Sequence, residues 1–342
     1  MSRQHSRQAQ AQAQAQADAA LQQYSTYDEH VDVVSSMEYM FTRATGMRDT
    51  VAHFERFPRI KVDDKTLTPD FTVLFADSTG IVGEVAKLAL AEGSVDKLTH
   101  QIGEYAALTA LPDSADRLQP VRQVDVLLLV QMEVGLATVR RVIKQRFADD
   151  DHDYAPARPP CVAQYGRSET KYTLQRIPDP ANGVLDAGDR QPDLNAYLST
   201  GLNVQAHHFA DIKVARAFIN DPVPPLYLAS HLLIRTWPTQ HGGGTADITV
   251  VPADTGRRLQ QEYGHVRIGD VTAALELLDL AGLAARNPDG SWLVSRHQLG
   301  RIGSRDVPRL LVDRITSKTT RRQVPATTRD RRPSAPSQEP LF

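Results

Sequence analysis

Cysteine is almost absent from this chain of 342 residues, because Cys161 is the only one. A single thiol excludes a disulfide framework and a zinc site built from several cysteines. The chain also lacks an apolar run of about 18 residues, which a membrane-spanning helix needs. Its N-terminus lacks the hydrophobic stretch of a signal peptide. We therefore expect a soluble, cytoplasmic protein without a membrane partner.

An excess of charge of either sign is also missing, since the formal net charge is -2. This balance gives no general attraction to nucleic acid or to an anionic membrane, so any phosphate contact requires local basic clusters. The 41% hydrophobic and 23% charged residues are ordinary for a globular protein. That composition excludes a chain that is disordered throughout.

Several sequence motifs of common enzymes are absent as well. There is no Gly-x-x-x-x-Gly-Lys-Ser/Thr loop, which argues against a nucleotide-triphosphate motor. The run His241-Gly242-Gly243-Gly244 is not accompanied by the Gly-x-Ser-x-Gly elbow of an esterase. The adjacent residues His207 and His208 cannot share one helical or strand face, so a metal site there is not expected.

The length and composition predict two folded domains with a linker and two tails. Residues 1–24, with their alternating Gln and Ala, offer no apolar face and are predicted to be a disordered tail. Residues 178–222 are predicted to be a linker with connecting elements, because 178–193 are rich in Pro and Gly. Residues 301–342 are predicted to be a basic, largely disordered tail. The folded domains are then 25–177 and 223–300.

The spacing of apolar residues in 25–177 changes between helical and strand periods. The predicted elements are a helix at about 28–45, a strand at 58–64, a hairpin of strands 70–76 and 81–88, a helix at 94–110, a buried strand at 124–130, a helix at about 136–147 and a closing hairpin of 161–165 and 170–177. Asp77-Ser78-Thr79-Gly80 supplies the turn of the first hairpin. The order predicts a mixed α/β domain.

Polar residues fall on these elements in a characteristic order. Pro69-Asp70 begins one hairpin strand, Glu84-Val85-Ala86-Lys87 lies on the next, and Gln101-Ile102-Gly103-Glu104-Tyr105 lies on the following helix. Over about residues 28–135 this order resembles the PD-(D/E)XK nuclease superfamily, in its RecB-like branch with a Gln-x-x-x-Tyr helix. The resemblance implies a restriction-endonuclease-like αβββαβ core.

The resemblance also implies a role for each of these side chains. Asp70 and Glu84 would be metal ligands, Lys87 the catalytic lysine, and Gln101 and Tyr105 supports of the site. The implied cofactor is Mg²⁺, with Mn²⁺ as an alternative, and the implied substrate is nucleic acid, with DNA favoured. Independent chemistry agrees, because hydrolysis of a phosphodiester is assisted by a hard cation that prefers carboxylate oxygens.

The spacing of Glu84 and Lys87 departs from the family pattern, which places the acid and the lysine two residues apart. A gap of three sends the two side chains to opposite faces of a regular strand. We therefore predict a β-bulge at residues 85–86, which would restore the phase. The absence of a bulge would favour an inactive relative.

Glu38 interrupts the apolar stripe of the first helix, four residues after Val34 and three before Phe41. A buried carboxylate needs a partner, which is either a metal ion or an Arg side chain. The family often supplies an extra acid from its first helix. Glu38 is therefore a candidate third metal ligand, with an Arg-paired structural acid as the alternative.

The region 223–300 predicts helices at 224–237, 252–263 and 270–281, followed by two short strands around Asn287-Pro288-Asp289-Gly290. This order resembles a winged-helix domain. The helix at 270–281 carries acids and no Lys or Arg, which is unfavourable against phosphate. The predicted nucleic-acid contacts are basic residues at and beyond the wing, namely Arg286, Arg296, Arg301 and Arg305.

The sequence therefore predicts a Mg²⁺-dependent nuclease, a hydrolase whose C-terminal domain contacts DNA or a protein partner, including a second copy of the chain. The alternative is a nuclease fold without activity that serves as a DNA-binding regulator or assembly factor. The two hypotheses differ in whether Asp70, Glu84 and Lys87 converge on one pocket.

Overall fold

The computed structural model describes residues 2–86, 92–148, 158–244, 246–264, 266–299 and 306–323. The chain divides into two compact units. The sheet unit comprises Thr26–Pro222 and Gln261–His265, and the helical unit comprises Met1–Ser25, Val223–Gln260 and Val266–Phe342. In the described ranges, every helix is too short or too polar to cross a membrane.

The sheet unit combines a seven-stranded mixed sheet with helices and two small hairpins, so the predicted mixed α/β class is confirmed. Its strands are β1 (Val51–Arg56), β2 (Ile60–Val62), β3 (Lys65–Leu67), β4 (Phe71–Phe75), β5 (Thr79–Ala86), β6 (Ala110–Pro112), β7 (Leu118–Pro120), β8 (Gln123–Gln131), β9 (Cys161–Arg167), β10 (Lys171–Arg176) and β11 (Leu202–Gln205). Its helices are the C-terminal part of α1 (Ser2–Thr42), α2 (Glu92–Ala106), α3 (Leu136–Val142), α4 (Gln191–Thr200) and α5 (Ala210–Ala215).

The seven-stranded sheet has the order β1-β4-β5-β8-β9-β10-β11. The strands β5, β8 and β9 are parallel, and the other pairs are antiparallel. In the chain, α2 lies between β5 and β8, as a parallel connection requires. The strand β8 is buried from Asp125 to Val130, which agrees with the central strand predicted from its unbroken apolar run.

Two segments differ from the sequence predictions. The helix α1 begins at Ser2 and includes the Gln/Ala run, because Ala and Gln are strong helix formers even without an apolar face.

The predicted linker, 178–222, is bound to the sheet through Asn182. The Nδ2 of Asn182 donates to Val162 O (2.8 Å) and Ile177 O (2.9 Å). Its Oδ1 accepts from Val162 N at 2.8 Å. The residues after it form α4 and β11, and β11 extends the sheet.

The helical unit contains a three-stranded antiparallel sheet with the order β12-β14-β13. Its elements after α1 are α6 (Pro225–His231), α7 (Trp237–His241), β12 (Ile248–Val250), α8 (Pro252–Tyr263), α9 (Ile268–Leu280), β13 (Ala284–Arg286), β14 (Trp292–Val294) and α10 (Val307–Gln323). A π-helical segment, Leu232–Thr236, joins α6 to α7. The three helices and the hairpin of two short strands predicted for 223–300 are all present. Residues 301–305 and 324–342 of the predicted tail lie outside the described residues.

Candidate functional site

Asp70 and Glu84 lie opposite each other on neighbouring strands of the sheet unit. Phe71 pairs with Gly83 in the antiparallel pairing of β4 with β5, so Asp70, one residue before β4, falls opposite Glu84. Gly83 makes this pairing possible, because a Cβ there would lie 2.0 Å from Cζ of Phe71. The hairpin therefore brings the two predicted metal ligands together without a bulge.

The Asp70 carboxylate is buried and contacted from two directions. Its Oδ2 accepts a hydrogen bond of 2.7 Å from the backbone N–H of Val85 on β5. Its Oδ1 lies 3.0 Å from Nε2 of His30, a buried residue of α1. Within the described part of the chain, neither ring nitrogen of His30 makes a hydrogen bond, so the contact with Asp70 is an ion-pair contact only. The orientation of Asp70 is thus fixed by its hydrogen bond to β5, and His30 of α1 lies against its other oxygen.

The Glu84 carboxylate is oriented by the helix α2. Gln101 Nε2 donates to Glu84 Oε1 at 3.1 Å and to the Tyr105 hydroxyl oxygen at 2.6 Å. Because Gln101 and Tyr105 are four residues apart, they lie on one face of α2 and act on the same carboxylate. The other oxygen, Glu84 Oε2, is buried and has no hydrogen-bond partner among the described residues.

The electrostatics of this pair favour a positive charge between or beside the carboxylates. Burial raises the pKa of Glu84 well above its ordinary value, and the nearby charge of Asp70 raises it further. Hydrogen bonds from Tyr105 and Gln101 lower the pKa of Glu84 only in part. A cation near two close carboxylates would stabilise their charged forms.

The lysine predicted for this site, Lys87, lies outside the described residues. The pairing of β5 with β8 keeps one register from Thr79 to Ala86, so the predicted bulge is absent as far as the description of β5 extends. Ala86, two residues after Glu84, therefore lies on the same face of β5 as Glu84. That position carries a methyl group where the family pattern has an amine.

Glu38 does not join this cluster as a metal ligand. Its Oε2 lies 3.6 Å from Arg56 Nη1, and its Oε1 lies 3.8 Å from Arg216 Nε. The alternative of an Arg-paired structural acid therefore fits, because the two guanidinium groups supply the compensating charge. The first helix contributes His30 to Asp70 in its place.

The sequence interpretation missed His30, although a signal was available. His30 lies three residues after Tyr27 and four before Val34, on the buried stripe of α1. A polar residue on that stripe is the same signal that pointed to Glu38. Which of the two polar residues meets Asp70 depends on how α1 crosses the sheet, and this is not encoded in local spacing.

The four predicted nucleic-acid contacts have different outcomes. Arg296 is buried, and its guanidinium donates to Ala246 O and Gly242 O, both at 3.0 Å. These hydrogen bonds give Arg296 a structural role within its own unit, and its contact with nucleic acid stays a prediction. Arg286 is exposed at the end of β13, and Arg301 and Arg305 lie outside the described residues.

Metal-binding clusters and reactive nucleophiles were also sought elsewhere among the described residues. Across the described residues, no group of three or more His, Cys, Asp and Glu side chains is arranged to hold a metal ion. Burial raises the pKa of the Cys161 thiol to about 12, so this thiol is protonated at neutral pH and is not a nucleophile. The Asp70–Glu84 pair remains the strongest candidate for chemistry.

Comparisons of the chain with protein-family models, with curated proteins and with solved structures gave no match.

Proposed function

We propose that this protein is a metal-dependent nuclease that hydrolyses phosphodiester bonds of nucleic acid, with DNA favoured. We assign the sheet unit to the PD-(D/E)XK type as part of the same proposal. The observation that carries the proposal is the Asp70–Glu84 pair. The register of β4 and β5 places the two acids opposite each other, and Gln101 and Tyr105 of α2 orient Glu84.

A divalent cation such as Mg²⁺, or Mn²⁺ as the alternative, fits the chemistry of this pair. Glu84 Oε2 is buried without a hydrogen-bond partner in the described chain, and the neighbouring Asp70 carboxylate disfavours its charge. Magnesium is commonly held by one or two carboxylates, with water and substrate phosphate as its other ligands. A site without a third acidic side chain is therefore compatible with it.

In the proposed reaction, the oxygen of a water molecule bonds to phosphorus while one phosphorus–oxygen ester bond breaks. One water proton goes to solvent, and the leaving oxygen takes up a proton. A divalent cation held by Asp70 and Glu84 would neutralise charge on the phosphate and would make the attacking water more acidic. The protein's contribution is preorganisation, because Val85 N–H donates a hydrogen bond to Asp70 and Gln101 donates one to Glu84.

We assign the helical unit to the winged-helix type. The order of α6, β12, α8 and α9, followed by the hairpin of β13 and β14, supports this assignment. The exposed residues of α9 include Glu276 and Asp279, which would repel phosphate. We therefore propose Arg286 near the hairpin turn, rather than α9, as a contact to nucleic acid from this unit.

A second candidate function has one specific observation in its favour. Ala86 occupies the position on β5 where the family pattern has its lysine, and β5 is regular up to that residue. A nuclease fold without an amine at the phosphate would lack one source of charge stabilisation. Such a protein would act as a DNA-binding regulator or assembly factor.

Cleavage assays separate the two candidates. Plasmid and single-stranded DNA are incubated with the protein in Mg²⁺, in Mn²⁺ and in EDTA, and the variants D70N and E84Q are compared with the original chain. We expect cation-dependent cleavage that falls at least about 100-fold in each variant, because each loses a charged ligand. The exposed residue Glu169 supplies the control E169Q, which should cleave normally.

Metal binding provides a readout that does not depend on turnover. Mn²⁺ should raise the melting temperature of the original chain and of E169Q, because a ligand of the folded state stabilises it. D70N and E84Q should lose most of this shift. Cleavage that is equal in D70N and the original chain would identify a contaminant and overturn the proposal. Metal and DNA binding without cleavage would favour the inactive candidate.

A further inference from the structure

Lys97 lies on the face of α2 that serves the candidate site. Lys97, Gln101 and Tyr105 follow each other at intervals of four residues, so they form one stripe along the helix. Gln101 and Tyr105 reach the Glu84 carboxylate from this stripe. Lys97 is one turn closer to the N-terminus of α2, about 6 Å along the helix axis from Gln101.

The position of α2 over β5 places this turn beside the end of the strand. Val95 of α2 and Ala86 of β5 belong to the same buried cluster. The helix α2 connects the parallel strands β5 and β8 and runs back along the sheet, so its N-terminal turns lie toward the end of β5 that follows Glu84. Lys97 belongs to these turns, and its side chain is exposed.

The charge of Lys97 is not paired with an acidic side chain that the structure describes. The neighbouring acid Asp96 pairs with Arg146 at 2.9 Å. Glu104, on the same helix, pairs with Lys65 and lies 3.4 Å from His100. The Lys97 side chain makes no ion pair or hydrogen bond with another side chain that the structure describes. An ammonium group is therefore available at the edge of the site.

We propose that Lys97 contacts a non-bridging phosphate oxygen of the nucleic acid bound at the Asp70–Glu84 site. This inference rests on the proposed function and adds a catalytic residue to it. A lysine on α2 supplies the positive charge that Ala86 does not supply on β5. The ammonium group donates to one oxygen of the phosphate and neutralises part of the charge that develops during hydrolysis.

Kinetics of the variants K97A and K97R test the contact. We expect K97A to lower kcat/KM about 100-fold, with most of the loss in kcat, because the contact strengthens in the transition state. K97R keeps the charge and should recover a large part of the rate. Lys171 is half-buried on β10, three strands from β5. Its variant K171A is the matched control and should remain within about twofold of the original chain.

The failure of this inference can be told apart from failure of the proposed function. If the original chain cleaves DNA, D70N does not, and K97A cleaves like the original chain, the nuclease proposal stands and the role of Lys97 is overturned. If the original chain does not cleave, the salt dependence of binding to a short single-stranded oligonucleotide decides. Loss of one phosphate contact should reduce the slope of log K against log salt by about 1 in K97A. An equal slope in K97A and the original chain overturns the contact.

Discussion

At the scale of single residues, the buried polar groups differ in how completely they are paired. The Asn182 side chain exchanges hydrogen bonds with the backbone of Val162 and Ile177, and Arg296 donates to two backbone carbonyls.

Glu84 Oε2, by contrast, is buried without a partner among the described residues. Unpaired burial of a carboxylate opposes folding. Glu38 Oε2 and Glu55 Oε2 also lack a hydrogen bond, but each lies within 3.6 Å of an Arg or His side chain, whereas Glu84 faces the acid Asp70. The Glu84 carboxylate is therefore the one that points to function.

The hydrogen bonds of Arg296 to the backbone predict that truncation of its side chain lowers stability. R296A should lower the free energy of unfolding of the helical unit by about 1–3 kcal/mol, because a buried side chain and its two charged hydrogen bonds to backbone carbonyls are lost. Urea unfolding followed by tryptophan fluorescence measures this change. The exposed residue Arg286 provides the control R286A, which should change stability by less than about 0.5 kcal/mol. Equal stability of R296A and R286A would contradict the structural role.

At the scale of elements, the β4–β5 hairpin is the part of the fold on which the site depends most directly. Its register is determined where the ring of Phe71 packs over Gly83, and this contact places Asp70 opposite Glu84. Phe71 is fully buried and stacks on Phe54, with ring centroids 5.5 Å apart. A side chain at position 83 would have to displace this packed ring.

The packing of Phe71 makes a substitution at Gly83 informative. G83A should lower the free energy of unfolding of the sheet unit by about 1–3 kcal/mol, because the added methyl group overlaps the ring. G83A should also reduce any DNA cleavage, because a shift of β5 at position 83 would displace the adjacent residue Glu84. Thermal unfolding followed by circular dichroism measures the stability.

Gly243 supplies the control for this substitution. A Cβ at this position meets no atom within 4 Å, so G243A should change stability by no more than about 0.5 kcal/mol. A G83A variant as stable as G243A would show that Phe71 does not set the register.

At the scale of the whole molecule, the chain enters each compact unit more than once. The helix α1 supplies its first residues to the helical unit and its remaining residues to the sheet unit. Both tryptophans, Trp237 and Trp292, are buried in the helical unit. Fluorescence therefore follows the unfolding of that unit, while circular dichroism follows the whole chain.

The stability of the helical unit should depend on pH through His231. Burial, reinforced by the charge of Arg235, lowers the pKa of His231 to about 4, whereas an unfolded histidine titrates near 6.5. Between these values the unfolded chain binds a proton that the folded chain does not bind. The free energy of unfolding therefore falls as the pH decreases from 6.5 to 4, by at most about 3 kcal/mol.

Urea unfolding at several pH values, followed by tryptophan fluorescence, measures this dependence. The variant H231Q should show a flatter profile between pH 6.5 and 4 than the original chain. His297 is an exposed histidine beside Asp247, and its variant H297Q should keep the steep profile. Parallel profiles of H231Q and the original chain would exclude His231 as the source.

Local patterns in the sequence determined the elements that carry the site. The turn Asp77-Ser78-Thr79-Gly80 between two apolar runs predicted the β4–β5 hairpin, and the helical spacing around Gln101 and Tyr105 predicted α2. Both predictions hold because strand alternation and helical period involve neighbouring residues only. The edge strands β1 and β11 were not predicted, since each depends on a partner strand for its pairing.

Tertiary structure alone decided which distant residues meet. The sequence predicted an acid from α1 at the site, yet His30 contacts Asp70 while Glu38 pairs with arginines. It also predicted Arg296 as a contact to nucleic acid, and the structure shows in addition that its donors bind the backbone. In each case a polar residue had more than one plausible partner, and the choice depended on how elements far apart in the chain pack together.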